Sequence, residues 1–486
     1  MSENSWPEND SFSRLSPSGA LAASLAEEDF QFEIDPAFLR GLEGRRLKSA
    51  LILGLVWGGT IVLHHFTWGY WLTMGLAALM GAHCLRAYVA RPRAVAPSLA
   101  TTAERPMVTL MVAAKNEEAV VERLVSQLCS LDYPVDRYEV WFIDDASTDK
   151  TPEILDQLAE RYVHLHVVHR LADATGGKSG ALNQVFPRTV GQFIAVFDAD
   201  AQIAPDFLLR SLSAFDRPAV GAVQLRKAII QAETPHHPES KNFWIQGQQA
   251  EMALDAFMRQ QQIALGGIGE LRGNGQLVRR QALEDSGGWN EATITDDLDL
   301  TLRLHLHDWD IECLTTPTVY EEGVTRAVAL WHQRSRWAEG GYQRYLDYWR
   351  MLVNNRLGTR KSIDLAVFVV MQYIMPMVAV PDLLMAVVKH QAPIFTPITV
   401  LTFGLFLLSA VRGLRRSRIL SAASEPQREI SRDVSWIWLI RQAILGAVYM
   451  AHWLPVIAFT TARMAVRQKR LKWVKTVHSG QSSITK

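Results

Sequence analysis

Cysteine is nearly missing from this sequence: Cys84, Cys129 and Cys313 are the only three in 486 residues. Their spacing matches neither a zinc site nor a redox pair. A sparse, odd set fits a reducing compartment and three small buried hydrophobes. Net charge is missing as well. Lys+Arg and Asp+Glu both number 50, which leaves no electrostatic case for a nucleic-acid partner. No internal repeat is visible. The stretch from Met1 to about Glu28 lacks a basic segment followed by an apolar core, so it does not read as a secretory signal. Residues 1–44 are expected to form a mobile polar tail. A phosphate-binding P-loop is missing too. Thr175–Gly180 contains Gly-Lys-Ser, but Ala172 stands where that loop needs glycine, which excludes a simple ATPase or kinase. Lys178 keeps the option of approaching a diphosphate from a different kind of loop.

What the chain does have is apolar sequence gathered at its two ends. Runs from Ala50 to about Phe66 and from about Tyr70 to Ala90 are flanked by Arg45, Arg46 and Lys48 and by Arg86, Arg91 and Arg93. The turn between them carries no Lys or Arg. The positive-inside rule therefore predicts a transmembrane hairpin over 45–93 with both outer flanks cytosolic, and Trp68, Tyr70 and Trp71 suit an interface. A buried soluble hairpin is the alternative. Residues 361–462 are expected to hold further transmembrane or interfacial helices, with spans near 365–388, 396–413 and 434–460. A basic tail, 463–486, follows. Three full crossings would put that tail outside, against the rule. One span is therefore expected to be re-entrant, interfacial or split: the first holds Pro376 and Pro381, the third Arg441 and Pro455.

Between these ends, 105–350 alternates strand-length apolar runs with helical patterns. Val108–Ala114, Glu139–Ile143 and Phe193–Phe197 are predicted strands, and helices are predicted to open at Thr151 and near Pro205. The alternation predicts an α/β domain with a mostly parallel sheet. Ligands of such sheets bind beyond the carboxyl ends of the strands.

Acidic motifs fall at those ends. Asp144-Asp145 follows the second predicted strand and could accept hydrogen bonds from a ribose or base, or simply build a turn. Asp198-Ala199-Asp200 follows the third. Two carboxylates so spaced suit a hard divalent cation shared with substrate phosphates, magnesium or manganese, or form a solvated turn. Thr295-Asp296-Asp297 opens a helical run, where an acid is either a cap or, for Asp297, a general base. Gln333, Arg336 and Trp337 share one helix face; Arg suits a diphosphate and Trp a sugar or lipid. Gly273-Asn274-Gly275 reads as a tight turn. The stripe Tyr342, Tyr345, Trp349 fits either a helix at headgroup level or buried packing.

The order of these motifs resembles the inverting family 2 glycosyltransferases of GT-A fold, the group that includes cellulose and hyaluronan synthases. The match covers about 107–340, and Gln333-Arg334-Ser335-Arg336-Trp337 is its most specific part. The resemblance implies a nucleotide-binding acid at Asp145 with Asp144 beside it. It implies an acid pair Asp198 and Asp200 at the nucleotide-sugar, with Asp200 reaching the metal, and a base at Asp297. Gln333, Arg336 and Trp337 would form an acceptor and diphosphate cluster. The family usually has Thr-Glu-Asp where this chain has Thr295-Asp296-Asp297.

A closer likeness, to a family of cyanobacterial glucolipid synthases, rests on Ser5–Asp10, Ala113–Glu118, Ala174–Asn183, Gly266–Gly275 and Arg470–His478. It implies UDP-glucose as donor, 1,2-diacylglycerol as acceptor, inversion, and a β-linked glucolipid made at the cytosolic face of a plasma or photosynthetic membrane. A processive polysaccharide synthase and a catalytically silent sugar-binding scaffold are the competing readings. The first predicts a polymer, the second donor binding without turnover.

Overall fold

Val108–Ala114 is an almost unbroken apolar, β-branched run, and Val108, Leu110 and Val112 are wholly buried in β1. The computed structural model describes residues 44–93, 105–234, 237–424 and 434–467. The tail expected over 1–44, except Gly44, lies outside the described residues, as does the basic tail from 468 onward. Six more strands follow: β2 (Tyr138–Asp144), β3 (Leu165–His169), β4 (Phe193–Phe197), β5 (Val220–Ile229), β6 (Gln276–Arg279) and β7 (Asp310–Glu321). They form one sheet in the order β3-β2-β1-β4-β6-β5-β7. Only β6 runs against its neighbours. The chain thus has the expected α/β, GT-A-like fold with a mostly parallel sheet.

Register decides what this sheet presents. Ala114 pairs with Asp144, and Val112 with Phe197. The carboxyl ends of β1, β2 and β4 are therefore level, and the two acidic motifs leave the sheet on one edge. β6 enters from the same edge, because Gln276 pairs with Val196. Its lead-in loop, Gly273–Gly275, therefore lies beside Asp198.

The helices that matter below are α1 (Arg45–Leu63), α2 (Gly69–Val89), α3 (Gly177–Val185), α4 (Phe243–Ala264), α5 (Asp296–Leu306) and α6 (Ala327–Val353). After them come α7 (Thr359–Lys389), α8 (Thr396–Ser424), α9 (Trp436–Met450) and α10 (Trp453–Val466). Among the described residues, five stretches are helical, long and apolar enough to cross a membrane: α1, α2, α7, α8 and Trp436–Val466, which contains α9 and α10. The prolines act differently in the two ambiguous stretches. In α7, a π-turn at Val370–Ile374 precedes Pro376, where a missing N–H and a ring clash disturb the regular ladder, and the helix continues. In the last stretch the helix breaks at Ala451-His452, and Pro455 sits in the first turn of α10, where the N–H has no helical partner anyway. At 15 and 14 residues, α9 and α10 are each about 22 Å long, short of the ~30 Å hydrocarbon core. They also pack on different partners, α9 on α4 and α8, α10 on α1, α6 and α7. Of the last three stretches, this is the one whose helix is interrupted.

Helix α6 joins the sheet domain to these helices. Its Ala338, Tyr342 and Leu346 pack with Tyr373 and Met377 of α7 and Val456 and Ile457 of α10. The expected aromatic stripe resolves as packing rather than surface: Tyr342 and Tyr345 lie 5.7 and 5.5 Å from Tyr373, ring to ring. Only Trp349 is exposed.

Candidate active site

Of the first acid pair, Asp144 is spent on its own turn. Its carboxylate is buried, accepts from Ser147 N at 3.1 Å and contacts His169 Nδ1 at 3.1 Å. Asp145 is the more accessible carboxylate of the two. Asp145 Oδ1 accepts from Arg170 Nη1 at 2.5 Å, and Lys115 lies 3.8 Å away. The same guanidinium donates to the carbonyls of Gly177 and Thr175 at 3.1 and 2.5 Å. Asp145 is thereby tied to the loop that carries Lys178.

Lys178 stands in the first turn of α3, and its Nζ lies 2.5 Å from Asp198 Oδ1. Burial works against its charge, but Asp198, Asp296 and Asp297 outweigh burial and hold the ammonium above its ordinary pKa. Asp200 is buried, with Oδ2 accepting from Glu322 N at 3.0 Å. Asp198 is the exposed member of the pair, and its N–H donates to Asn274 Oδ1 at 3.2 Å.

Thr295 caps α5 in extended conformation without a side-chain cap bond, so the first turn is left to Asp296 and Asp297. Asp297 Oδ1 accepts from the next residue's N–H at 2.8 Å. Its pKa is pushed up to about 6, first by burial and then by Asp296, with Lys178 and Lys227 pulling the other way. A carboxyl poised there is a base near neutral pH. Asp296 is the neighbour that tunes it; its Oδ2 is buried without a hydrogen-bond partner.

Arg336 comes into the same field from α6. Burial lowers its pKa, while Asp198, Asp297 and Asp296 raise it, so all four groups face one another. Gln333 Oε1 is buried and unpartnered, and Lys227 lies 5.7 Å from the Trp337 ring. The predicted Lys178, Asp198, Asp297 and Arg336 are therefore gathered together at the sheet edge. Asp145 is linked in through Arg170, and Asp200 sits beside Asp198 on the same turn.

Several contributors were not foreseen. The Gly273-Asn274-Gly275 turn is part of the site. Both glycines adopt positive φ, +79° and +71°, and a Cβ on Gly273 would lie 3.4 Å from Asp297 Oδ2. Wholly buried Asn274 bridges Asp198 N to Glu321 Oε2. Lys227 pairs with Glu321 at 3.0 Å. The one available signal was the Gly-x-Gly pattern, which marks close backbone approach as readily as a free turn. Arg334, inside the most specific motif, is fully buried. It bonds Glu251 at 2.5 Å and Tyr449 Oη at 3.0 Å, and its guanidinium lies 4.0 Å from the Trp337 ring centre.

Fold and site together define a glycosyltransferase of GT-A type with helices suited to a membrane on either side. Residues 109–287 match the profile described as Glycosyl transferase family 2. The chain is 53% identical over 482 residues to the beta-monoglucosyldiacylglycerol synthase of Trichormus variabilis, covering 99% of each chain. It is 51% identical over 486 residues to that of Synechocystis sp., covering 98% and 97%. A mannosyltransferase from Pyrobaculum calidifontis, solved with GDP-Man and Mn2+, superposes with a TM-score of 0.50 at 21% identity, over 83% of this chain and 98% of that one, a likeness of fold. The chain belongs to family 2 of the glycosyltransferases and, within it, to the beta-monoglucosyldiacylglycerol synthase family.

Proposed function

We propose that this protein transfers glucose from UDP-glucose to 1,2-diacylglycerol with inversion, giving β-monoglucosyldiacylglycerol. The observation that carries the substrates is the identity of more than half of all residues over essentially the full length of synthases named for that product. The acceptor hydroxyl loses its proton to Asp297 while its oxygen bonds to the anomeric carbon. The bond from that carbon to the UDP oxygen breaks on the opposite face, so an α-linked donor yields a β-linked product. Arg336 and Lys178 face the departing diphosphate, whose oxyanions a guanidinium fork and an ammonium both suit. Asp145 is assigned to the nucleoside. Gln333 and Trp337 are assigned to the acceptor side; the unpartnered Gln333 carbonyl supports this, because a buried acceptor normally finds a donor.

A divalent cation fits the second acid pair. Asp198 and Asp200 offer hard oxygens, one exposed and one held by Glu322 N–H. Among the described residues no group of three or more His, Cys, Asp or Glu gathers. Magnesium or manganese would thus be held by these two carboxylates and complete its shell with phosphate oxygens and water. When bound, such an ion offsets charge on the leaving diphosphate.

The apolar helices would set the site at the bilayer with its mouth cytosolic, in a plasma or photosynthetic membrane, so that a two-chain acceptor need not leave the lipid. The test is purified protein with a panel of UDP-sugars, diacylglycerol and magnesium. A single β-linked glucose per lipid is expected. A polymer, or donor binding without any glycolipid, overturns the reading.

A further inference from the structure

A polar cavity lies away from the catalytic residues, at the other end of the sheet. It has a volume of about 380 Å³ and is lined by Arg91, Arg93, Arg210, Arg217 and Arg416, with Glu312 as its only acid. That volume is within the range of small-ligand pockets. It borders the amino-terminal half of β7, while the catalytic residues border Glu321 at its far end. Glu321 is nine positions beyond Glu312 along β7, up to about 30 Å of extended chain. The cavity and the catalytic residues are separate.

Three of the five arginines are matched by acids: Arg93 by Asp216, Arg217 by Glu312, and Arg210 by Asp206 at 3.3 Å. Arg91 and Arg416 have no acidic partner among the described residues. Arg416 stands apart from its neighbours on α8. Arg412 lies over the Tyr88 ring and donates to the Tyr88 carbonyl, Arg415 lies over Trp436, and Arg418 over Trp438. Only Arg416 of these four lines the cavity. Arg416 is half-buried, and such a cation costs free energy unless an anion completes it, while Arg91 is exposed at the cavity's rim and free to reach the same anion.

The location says which anion. Arg91 and Arg93 directly follow α2, and Arg416 follows the apolar part of α8. The two helices pack closely, since a Cβ on Gly81 would meet Leu401 at 2.8 Å. The cavity thus opens where two apolar helices reach the basic side. Leu85 and Val89, i and i+4 on α2, are exposed in the last turns of the helix, just before Arg91 in the chain. Pro92, Ile263 and Leu314 add apolar wall. Arginine, not lysine, supplies the charge, as suits bidentate binding of a phosphate or sulfate group. Basic pockets between such helices hold anionic headgroups.

We propose that this cavity binds the headgroup of an anionic membrane lipid, with Arg91 and Arg416 on its phosphate or sulfate and the acyl chains along Leu85 and Val89.

The test uses the purified full chain in neutral detergent. Native mass spectrometry would follow titration with phosphatidylglycerol, phosphatidylcholine and inorganic phosphate. One phosphatidylglycerol should be retained, phosphatidylcholine should not, and phosphate should fail to displace the lipid at equal concentration. Equal retention of phosphatidylcholine, or displacement by phosphate alone, overturns the proposal without any mutant. Arg91→Gln/Arg416→Gln should weaken phosphatidylglycerol retention at least tenfold and leave glucosyl transfer in neutral-lipid micelles unchanged. Unchanged retention in that variant also overturns it.

Discussion

The Nζ of Lys178 lies 2.5 Å from Oδ1 of Asp198, the first of the two carboxylates that follow β4. The ammonium occupies ground that a donor diphosphate and its cation would contest. It therefore has a binding partner to exchange when substrate arrives. Lys178→Gln removes a charge-assisted bond worth about 1.5–3 kcal/mol, so KM for the sugar nucleotide should rise about ten- to a hundredfold. Lys178→Arg should recover part of that. Steady-state kinetics on both variants check this; an unchanged KM removes Lys178 from the donor site.

Asp297 should govern the acid limb of the pH profile. Burial and Asp296 place its pKa at about 6. A base must be ionised, so kcat/KM should fall tenfold per unit below about pH 6 and level off above it. Asp296→Asn removes a charge that raises this pKa, so the limb should move to lower pH. Asp297→Asn should lower kcat about 10²–10⁴-fold while donor affinity is kept. A limb that stays put in Asp296→Asn contradicts the assignment.

Gly340 lets α6 press against the start of α5. A Cβ there would lie 2.2 Å from Thr295 Oγ1 and 2.4 Å from its methyl. Gly340→Ala should push the two helices apart, lowering turnover more than tenfold and stability by about 1–3 kcal/mol. Thr295→Ala removes the two nearest atoms and leaves only the Thr295 Cβ position 2.8 Å away, so the double variant should recover part of each. Additive losses in that cycle would show that the two positions do not act on each other.

Glu251 of α4 joins α6 to the split last stretch. It accepts from Arg334 at 2.5 Å, Tyr449 Oη at 3.1 Å and Trp453 Nε1 at 2.8 Å. Glu251→Ala would leave the buried Arg334 guanidinium without its charge partner, at a cost of about 3–5 kcal/mol. Thermal unfolding in detergent should show it. Arg334 also sits over Trp337, so the acceptor KM should rise in the milder Glu251→Gln.

Removing divalent cations by chelation should abolish turnover, with magnesium or manganese restoring it. Asp198→Asn and Asp200→Asn should each raise the metal concentration needed for half-maximal rate. Activity that persists in excess chelator would dismiss the metal reading.

Much of this was legible beforehand. The strands at Val108–Ala114 and Phe193–Phe197 emerged with their expected bounds, because continuous β-branched and aromatic runs leave little choice. The acids at their ends and the helix face of Gln333 and Arg336 were legible for the same local reasons. Asn274, Glu321 and Lys227 were not. Each looks ordinary in sequence and acquires a role only because antiparallel β6 is threaded between β4 and β5. The aromatic stripe of α6 was ambiguous because an interfacial and a buried helix share one periodicity; Tyr373 of α7 decided it.

The sequence alone determined the elements and their chemistry: where chain is apolar enough for a bilayer, where strands end in carboxylates, and which side chains share a helix face. Those properties depend on neighbours a few residues apart. Which carboxylate meets which cation, which last-stretch helix pairs with which partner, and how far Asp297 is driven from ordinary acidity were decided only by tertiary structure. Each of these depends on groups brought close from distant parts of the chain, and both Coulomb energy and desolvation are set by distance and burial rather than by order along the backbone.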